Sequence, residues 1–413
     1  MTMTSTGLAI DPDQHAAGEP WWLTVRAARR VLVMASTITS AKRLWDVAGL
    51  LHGDTRVQLE FTVPPSVFNG GTAQMLAARG VPVLPWERAV AQRFDLAVAA
   101  SFEHIDQVDA PVAVFSQGAG RDSVVRPPRR SSRPSPGPVT GFCRADLMRD
   151  GTVVPVALAL GHERELALLE EGCPEALPVA EVIGDPCYDR IAAGVGLRNR
   201  YRAALGLSPR HKMVVVASTW QQNSLLGSAA EVVERLSKEL PAGYRVAMLT
   251  HPNIWAAHGS YQMRAWYGSW IARGVVLVPP EADWQPILTA ADFVVGDHGG
   301  VTLYATALGV PVLLGSFPAD DVHPDSGAAA LGRIAPRIVP GTPLTEQLEH
   351  AAAQFDAAAM ARVADLITSE PGGFARHARR LLYRLLGLGQ PAAPAWLSAT
   401  RPPARLETLR SAA

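Results

Sequence analysis

The chain has 413 residues, 48% hydrophobic and 18% charged, with 38 Lys+Arg against 38 Asp+Glu and a formal net charge of zero. At roughly 150 residues per domain this predicts two or three cored domains rather than disorder, and the neutral balance argues against duplex nucleic acid as a partner. The three cysteines form no CxxC pair, no apolar run approaches about 18 residues, residues 1–20 are polar, and no GxxxxGK[ST] occurs; together these disfavour a zinc or disulfide scaffold, a membrane span, a secretory signal and a P-loop, and they suit a reducing, cytoplasmic setting.

After the loose tail 1–20, short apolar runs alternate with helical patterns. VLVMAS (31–36), VQLEFTV (57–63), VPVLPW (81–86), DLAVAA (95–100) and APVAVFS (110–116) read as strands. A helical pattern follows the first, and GTAQMLAARG (71–80) reads as another helix with a glycine stop. Continuous apolar strands separated by helices predict a parallel sheet covered on both faces. RPPRRSSRPSPGP (126–138) interrupts this rhythm and reads as a solvated linker; its sharper alternative is a basic lid for an acidic substrate or a peripheral membrane contact. A second series follows VAEVIGDP, with strands at 213–219, 244–250, 274–279, 292–297 and 310–315 and helices at 229–240, 261–273, 284–291 and 302–308. Helical material at 344–386 and a Pro/Ala-rich tail complete the chain. Two doubly wound halves result, which would place ligands at the carboxyl ends of the strands.

The loops after those strands carry the candidate chemistry. Ser218 and Thr219 follow VVVA, and His251-Pro252-Asn253 follow VAMLT. An imidazole at a strand end suits proton transfer or anion binding, although a lone histidine is often structural. Asp297-His298-Gly299-Gly300 precede a helix that includes Thr302, and bare glycine amides at a helix start favour phosphate. The bland reading is a turn that needs glycine for backbone reasons. In the first half, Ser116-Gln117-Gly118-Ala119-Gly120 does not complete GxGxxG, because Ser123 stands at the third glycine. No HExxH, GxSxG or EF-hand pattern and no His/Asp pairing with metal spacing occurs, so no metal or separate cofactor is expected.

In this order the loops resemble the CDP-glycerol glycerophosphotransferase (teichoic acid polymerase-like) family. GDPCYDRI (184–191) is similar to its G-x-P-R-x-D element, VVVASTWQ to its P-T-W strand, LTHPN to its histidine loop, and ADFVVGDHGGVTLYATALGVPVLL to its diphosphate segment. The resemblance covers residues 184–315 well and the first half loosely. DHGG also resembles the His-Gly-Gly turn of nucleotide-sugar glycosyltransferases and of sugar 2-epimerases.

The resemblance implies an α/β GT-B fold, two Rossmann-like domains facing across a central cleft. It would comprise an acceptor domain at 21–183, a donor domain at 184–370, and a segment 371–413 whose helix returns to the first domain. It further implies that Ser218 and Thr219 line the cleft, that His251 serves transfer, that Asp297, His298, Gly299, Gly300 and Thr302 hold a donor diphosphate, and that the loop containing Pro279 and Glu281 meets the base. Gly118 and Gly120 would form the acceptor loop. The family's acceptor histidine is matched here by Gln117, which can orient a hydroxyl but cannot take its proton. The expected function is metal-independent transfer of a glycosyl or polyol-phosphate group from a CDP- or UDP-type donor to an unspecified acceptor. The alternatives are a nucleotide-sugar 2-epimerase-like enzyme and a non-catalytic binder that has lost the base.

Overall fold

A computed structural model describes residues 24–119 and 139–412; the tail 1–20, Gly120 and the basic segment 126–138 lie outside the described residues. Strands β1 (Arg29–Met34), β2 (Val57–Thr62), β3 (Val83–Leu84), β4 (Leu96–Ala99), β5 (Val112–Phe115), β6 (Pro155–Leu160) and β7 (Ala180–Val182) form one sheet in the order β3-β2-β1-β4-β5-β6-β7. Every pairing in it is parallel. A second parallel sheet contains β8 (Lys212–Ser218), β9 (Tyr244–Thr250), β10 (Val276–Leu277), β11 (Phe293–Gly296) and β12 (Val312–Leu314), ordered β10-β9-β8-β11-β12. The strands centre on the expected runs, while β6 and β7 extend the first sheet beyond the five strands anticipated.

The apolar runs are continuous because both sheet faces are covered. Val31 and Val33 join one core and Leu32 and Met34 the opposite one. In β8, Met213, Val215 and Ala217 face one side and Val214 and Val216 the other. That period of two, with apolar residues at every position, is the signature of a buried parallel strand.

Strand order reverses between β1 and β4 and again between β8 and β11, and at such points the loops diverge and leave a crevice at the carboxyl edge. Helix α1 (Ile38–Gly49) follows β1, its start closed by a reciprocal bond pair between Thr37 and Ser40. Helix α2 (Pro186–Gly194) links the halves. Its Asp189 accepts N–H bonds from Gly372 (2.7 Å) and Phe374 (3.1 Å), while burial pushes that carboxyl up to about 6. This anchors the return helix Phe374–Leu386, which buries Phe374, Ala378, Leu381 and Leu382 against Val31 and Val33 of the first sheet. The tail then crosses back: Tyr201 donates its hydroxyl to the Thr400 carbonyl (2.6 Å), and Leu406 and Leu409 enter the core beside Val276.

Candidate functional site

Both crevices open onto one cleft of about 760 Å³ between the sheets. On the C-terminal wall it is lined by the loops after β8, β9 and β11, including Ser218, Thr219, His251, Asp297, His298, Gly299, Gly300 and Thr302; Gln117 and Gly118 line the opposite wall. The structure therefore brings most of the expected residues together.

Asp297 is fully buried, and burial pushes its carboxyl up. Its Oδ2 accepts N–H bonds from Thr219 (2.9 Å) and Leu225 (2.8 Å), and its Oδ1 accepts one from Gly299 (2.9 Å). Ser218 Oγ donates to the Thr219 carbonyl (3.0 Å) and accepts from the Leu226 N–H (3.1 Å). Thr302 Oγ1 accepts the Asp297 N–H at 3.3 Å. These three residues were expected to meet the diphosphate or line the cleft as ligands. Their polar side-chain atoms instead bind the β8 and β11 loops to one another, and a carboxylate would in any case repel an anion.

The glycines also have a packing reason. A Cβ on Gly299 would lie 2.9 Å from Thr219 Cβ, and one on Gly300 would collide with the Ala119 carbonyl oxygen. Any larger side chain at either position therefore disturbs the protein before it meets a ligand. His298 sits at the same turn, its Nδ1 buried and without a hydrogen-bond partner among the described residues.

His251 is the N-cap of helix α3 (Pro252–Ala272); its Nδ1 accepts the Asn253 N–H at 3.2 Å. Pro252 suits the first helical position, where its missing N–H goes unneeded. The imidazole stacks on Trp220 (centroids 6.1 Å apart, 29° between planes), and Trp220 meets Phe68 of the first domain edge-on at 4.9 Å. Burial lowers the His251 pKa to about 4. The ring is therefore neutral at pH 7, and because Nδ1 accepts, the proton is on Nε2. His251 is thus a hydrogen-bond donor rather than a base.

On the facing wall the Gln117 side chain donates from Nε2 to the Ala100 carbonyl at 2.5 Å, so its acceptor end is Oε1. Its own carbonyl accepts from Arg43 Nη2 (2.7 Å). Gly118 has φ +118°, and a Cβ there would lie 2.6 Å from Arg43 Nη2 and 2.7 Å from Tyr304 Oη. Here glycine is required both by conformation and by space. The Ala119 N–H donates to Tyr304 Oη (2.9 Å), and that hydroxyl donates to Asp185 Oδ2 (2.7 Å). Asp185 Oδ1 in turn accepts the Tyr188 N–H (2.8 Å) and caps α2. Tyr304, in the short helix α4 (Gly300–Tyr304), so joins the N-terminal loop, the linker and the C-terminal domain.

Sequence reasoning missed Lys42, Arg43, Trp220 and Tyr304. Lys42 donates to the Ala282 carbonyl across the cleft at 2.5 Å, and burial lowers its ammonium to about 8 against the opposing pull of Asp283. A signal existed, since this is one of only three lysines in the chain. Pro279 lines the cleft as expected. Glu281 does not: its carboxylate turns toward Gly71 of the first domain, 3.7 Å from where a Cβ would stand, and the expected contact with the base is corrected accordingly.

Among the described residues no group of three or more His, Cys, Asp or Glu could hold a metal ion, and no helix is long and apolar enough to cross a membrane. The fold is similar to that of the wall teichoic acid polymerase TagF. With one TagF structure, soaked with CDPG for 15 minutes, the TM-score is 0.60 at 13% identity, over 88% of this chain and 90% of that one. A 30-minute soak gives 0.59 at 13% identity, over 88% and 91%. The chain has the GT-B fold. Anabaena Alr3699/HepE in complex with UDP-glucose matches at a TM-score of 0.49 and 13% identity, over 87% of this chain and 100% of its own. No protein-family model and no curated protein sequence matches the chain.

Proposed function

We propose that this protein is a transferase that moves a glycosyl or polyol-phosphate group from a nucleotide-diphosphate donor of CDP or UDP type to an acceptor hydroxyl. The observation that carries this reading is the meeting, across one cleft at the strand-order reversals, of the His298–Gly300 turn, a neutral donor imidazole at His251 and a second wall with its own polar loop. The likeness in fold to TagF, whose structure was soaked with CDPG, supports the choice of donor class.

In glycosyl transfer the nucleoside diphosphate leaves; in polyol-phosphate transfer the nucleoside monophosphate leaves. Either way, negative charge grows on a phosphate oxygen. In this reading the amides at the start of α4 and the His298 imidazole meet that charge in place of a metal ion. His251 donates from Nε2 to the phosphate or the transferred group. Gln117 orients the incoming hydroxyl through Oε1 and cannot take its proton. The cleft carboxylates on that wall include Glu103 and Asp146. Asp146 Oδ2 already receives the Gly141 N–H and the Cys143 S–H, both at 2.9 Å, whereas Glu103 is exposed, so the reading gives the proton to Glu103.

Thermal-shift titration with CDP, UDP, GDP and their sugar or glycerol conjugates tests the donor. A ligand at 100 Kd adds about 2.7 kcal/mol of stability. If none of these ligands raises the melting temperature, the reading is refuted. Nucleotide release with candidate acceptors then separates the enzyme from a non-catalytic binder, which Gln117 would favour.

A further inference from the structure

We infer that Arg43 binds the distal phosphate of the donor from the N-terminal wall, completing across the cleft the site begun at His298; this rests on the transferase reading above. Arg43 lines the cleft although it is only 5% exposed. Its Nη2 donates to the Gln117 carbonyl (2.7 Å) and to Cys187 Sγ (3.0 Å). Nε and Nη1 are buried with no hydrogen-bond partner. Three of its five N–H bonds are therefore unfilled, which is costly for a buried charged group.

A buried arginine with a purely structural role in this chain looks different. Arg202, 8% exposed, donates to the Ala290 carbonyl, to Asp292 and to the His211 carbonyl. The nearby carboxylates do not fill the Arg43 donors either: Asp185 serves Tyr188 and Tyr304, and Asp46 holds Arg190.

On the opposite wall, His298 Nδ1 is likewise buried and unpartnered. One stretch of backbone, Gly118–Ala119, separates the two, touching Arg43 and Tyr304 at Gly118 and Gly300 at Ala119. Unfilled donors on both walls of one narrow cleft call for an anion with oxygens on several sides, which a phosphate has. The distal phosphate is the one that must face the N-terminal wall, because it bears the group that the acceptor on that wall receives.

The test is calorimetric titration of wild type, Arg43→Gln and Arg43→Lys with CDP, CMP, UDP and UMP, with melting temperature as the fold control. Arg43→Gln should weaken the diphosphate by about 10–100-fold and leave the monophosphate within about threefold, with Arg43→Lys between. Equal loss for both, or no loss, overturns the inference. Should Arg43→Gln not fold, a crystal structure of wild type with CDP or UDP decides: a guanidinium nitrogen within about 3.2 Å of a distal phosphate oxygen supports it, and a phosphate seated beyond hydrogen-bond reach overturns it. Wild type that binds neither nucleotide class refutes the transferase reading itself, whereas wild type and Arg43→Gln that bind alike refute only the role of Arg43.

Discussion

His251 offers a sharp test because two consequences of its environment can be separated by one substitution. The imidazole caps α3 through Nδ1, and burial lowers its pKa from 6.5 to about 4. Both folded and unfolded states are neutral above pH 6.5, so its contribution is fully present there. As pH falls, the unfolded chain takes up a proton that the folded chain refuses, and stability is lost progressively between pH 6.5 and about 4. With those two values, linkage gives a loss of about 2 kcal/mol between pH 7.5 and pH 5. His251→Asn keeps a good N-cap but removes the titration. Urea unfolding of both proteins at pH 7.5 and 5 should show wild type losing about 2 kcal/mol more than the variant, since other titrations cancel in the comparison. At pH 7.5 the two should differ by less than about 1 kcal/mol, because the cap survives. Equal pH dependence in the two proteins would refute the neutral, buried imidazole, and with it the assignment of His251 as a donor at Nε2.

Asp297→Asn presents an amide to three backbone N–H donors and should cost about 2–4 kcal/mol in urea unfolding. A stable variant with abolished nucleotide binding would instead put Asp297 on the ligand. Tyr304→Phe strands the Ala119 N–H and Asp185 Oδ2, and a loss of about 1–3 kcal/mol for each group left unpaired is expected from the melting curve; an unchanged curve would mean the phenol does not join the domains. Glu103→Gln should lower turnover by about 10²–10⁴-fold with donor affinity intact, and Asp146→Asn far less. The reverse order in a steady-state assay would move the proton acceptor to Asp146.

Strand positions were legible because a parallel strand buried on both faces leaves an apolar run that stops abruptly at polar residues. VVVA before Ser218 and VAML before Thr250 and His251 are of this kind. The loops following them could then be placed at one edge without any knowledge of packing. Which way a polar side chain turns within such a loop was not legible. Asp297, Ser218 and Thr302 looked like ligands because strand-end logic treats every polar group at the carboxyl edge alike, and only the hydrogen bonds between the β8 and β11 loops separate a group that faces the cleft from one that fastens its rim. Glu281 failed for a related reason: its neighbours line the cleft while its own carboxylate turns to the other domain.

Lys42 and Arg43 were hidden more deeply. They stand in SAKRLWD, where a helix of mixed polar and apolar residues assigns charged positions to solvent. In the folded chain that polar face is covered by the second domain: Lys42 reaches Ala282, and Arg43 sits against Gln117, Gly118 and Cys187. Periodicity specifies which face of a helix is polar but not what covers that face, and a cleft between two sheets is walled by just such faces. The same holds for Tyr304, an aromatic at the end of a short apolar helix that reads as core until its hydroxyl is found between Ala119 and Asp185. The donor wall can be read from one half of the sequence because its loops all leave one sheet. The charges that close the cleft come from the other half, and they become a site only where α1, the Gly118 loop and α4 meet.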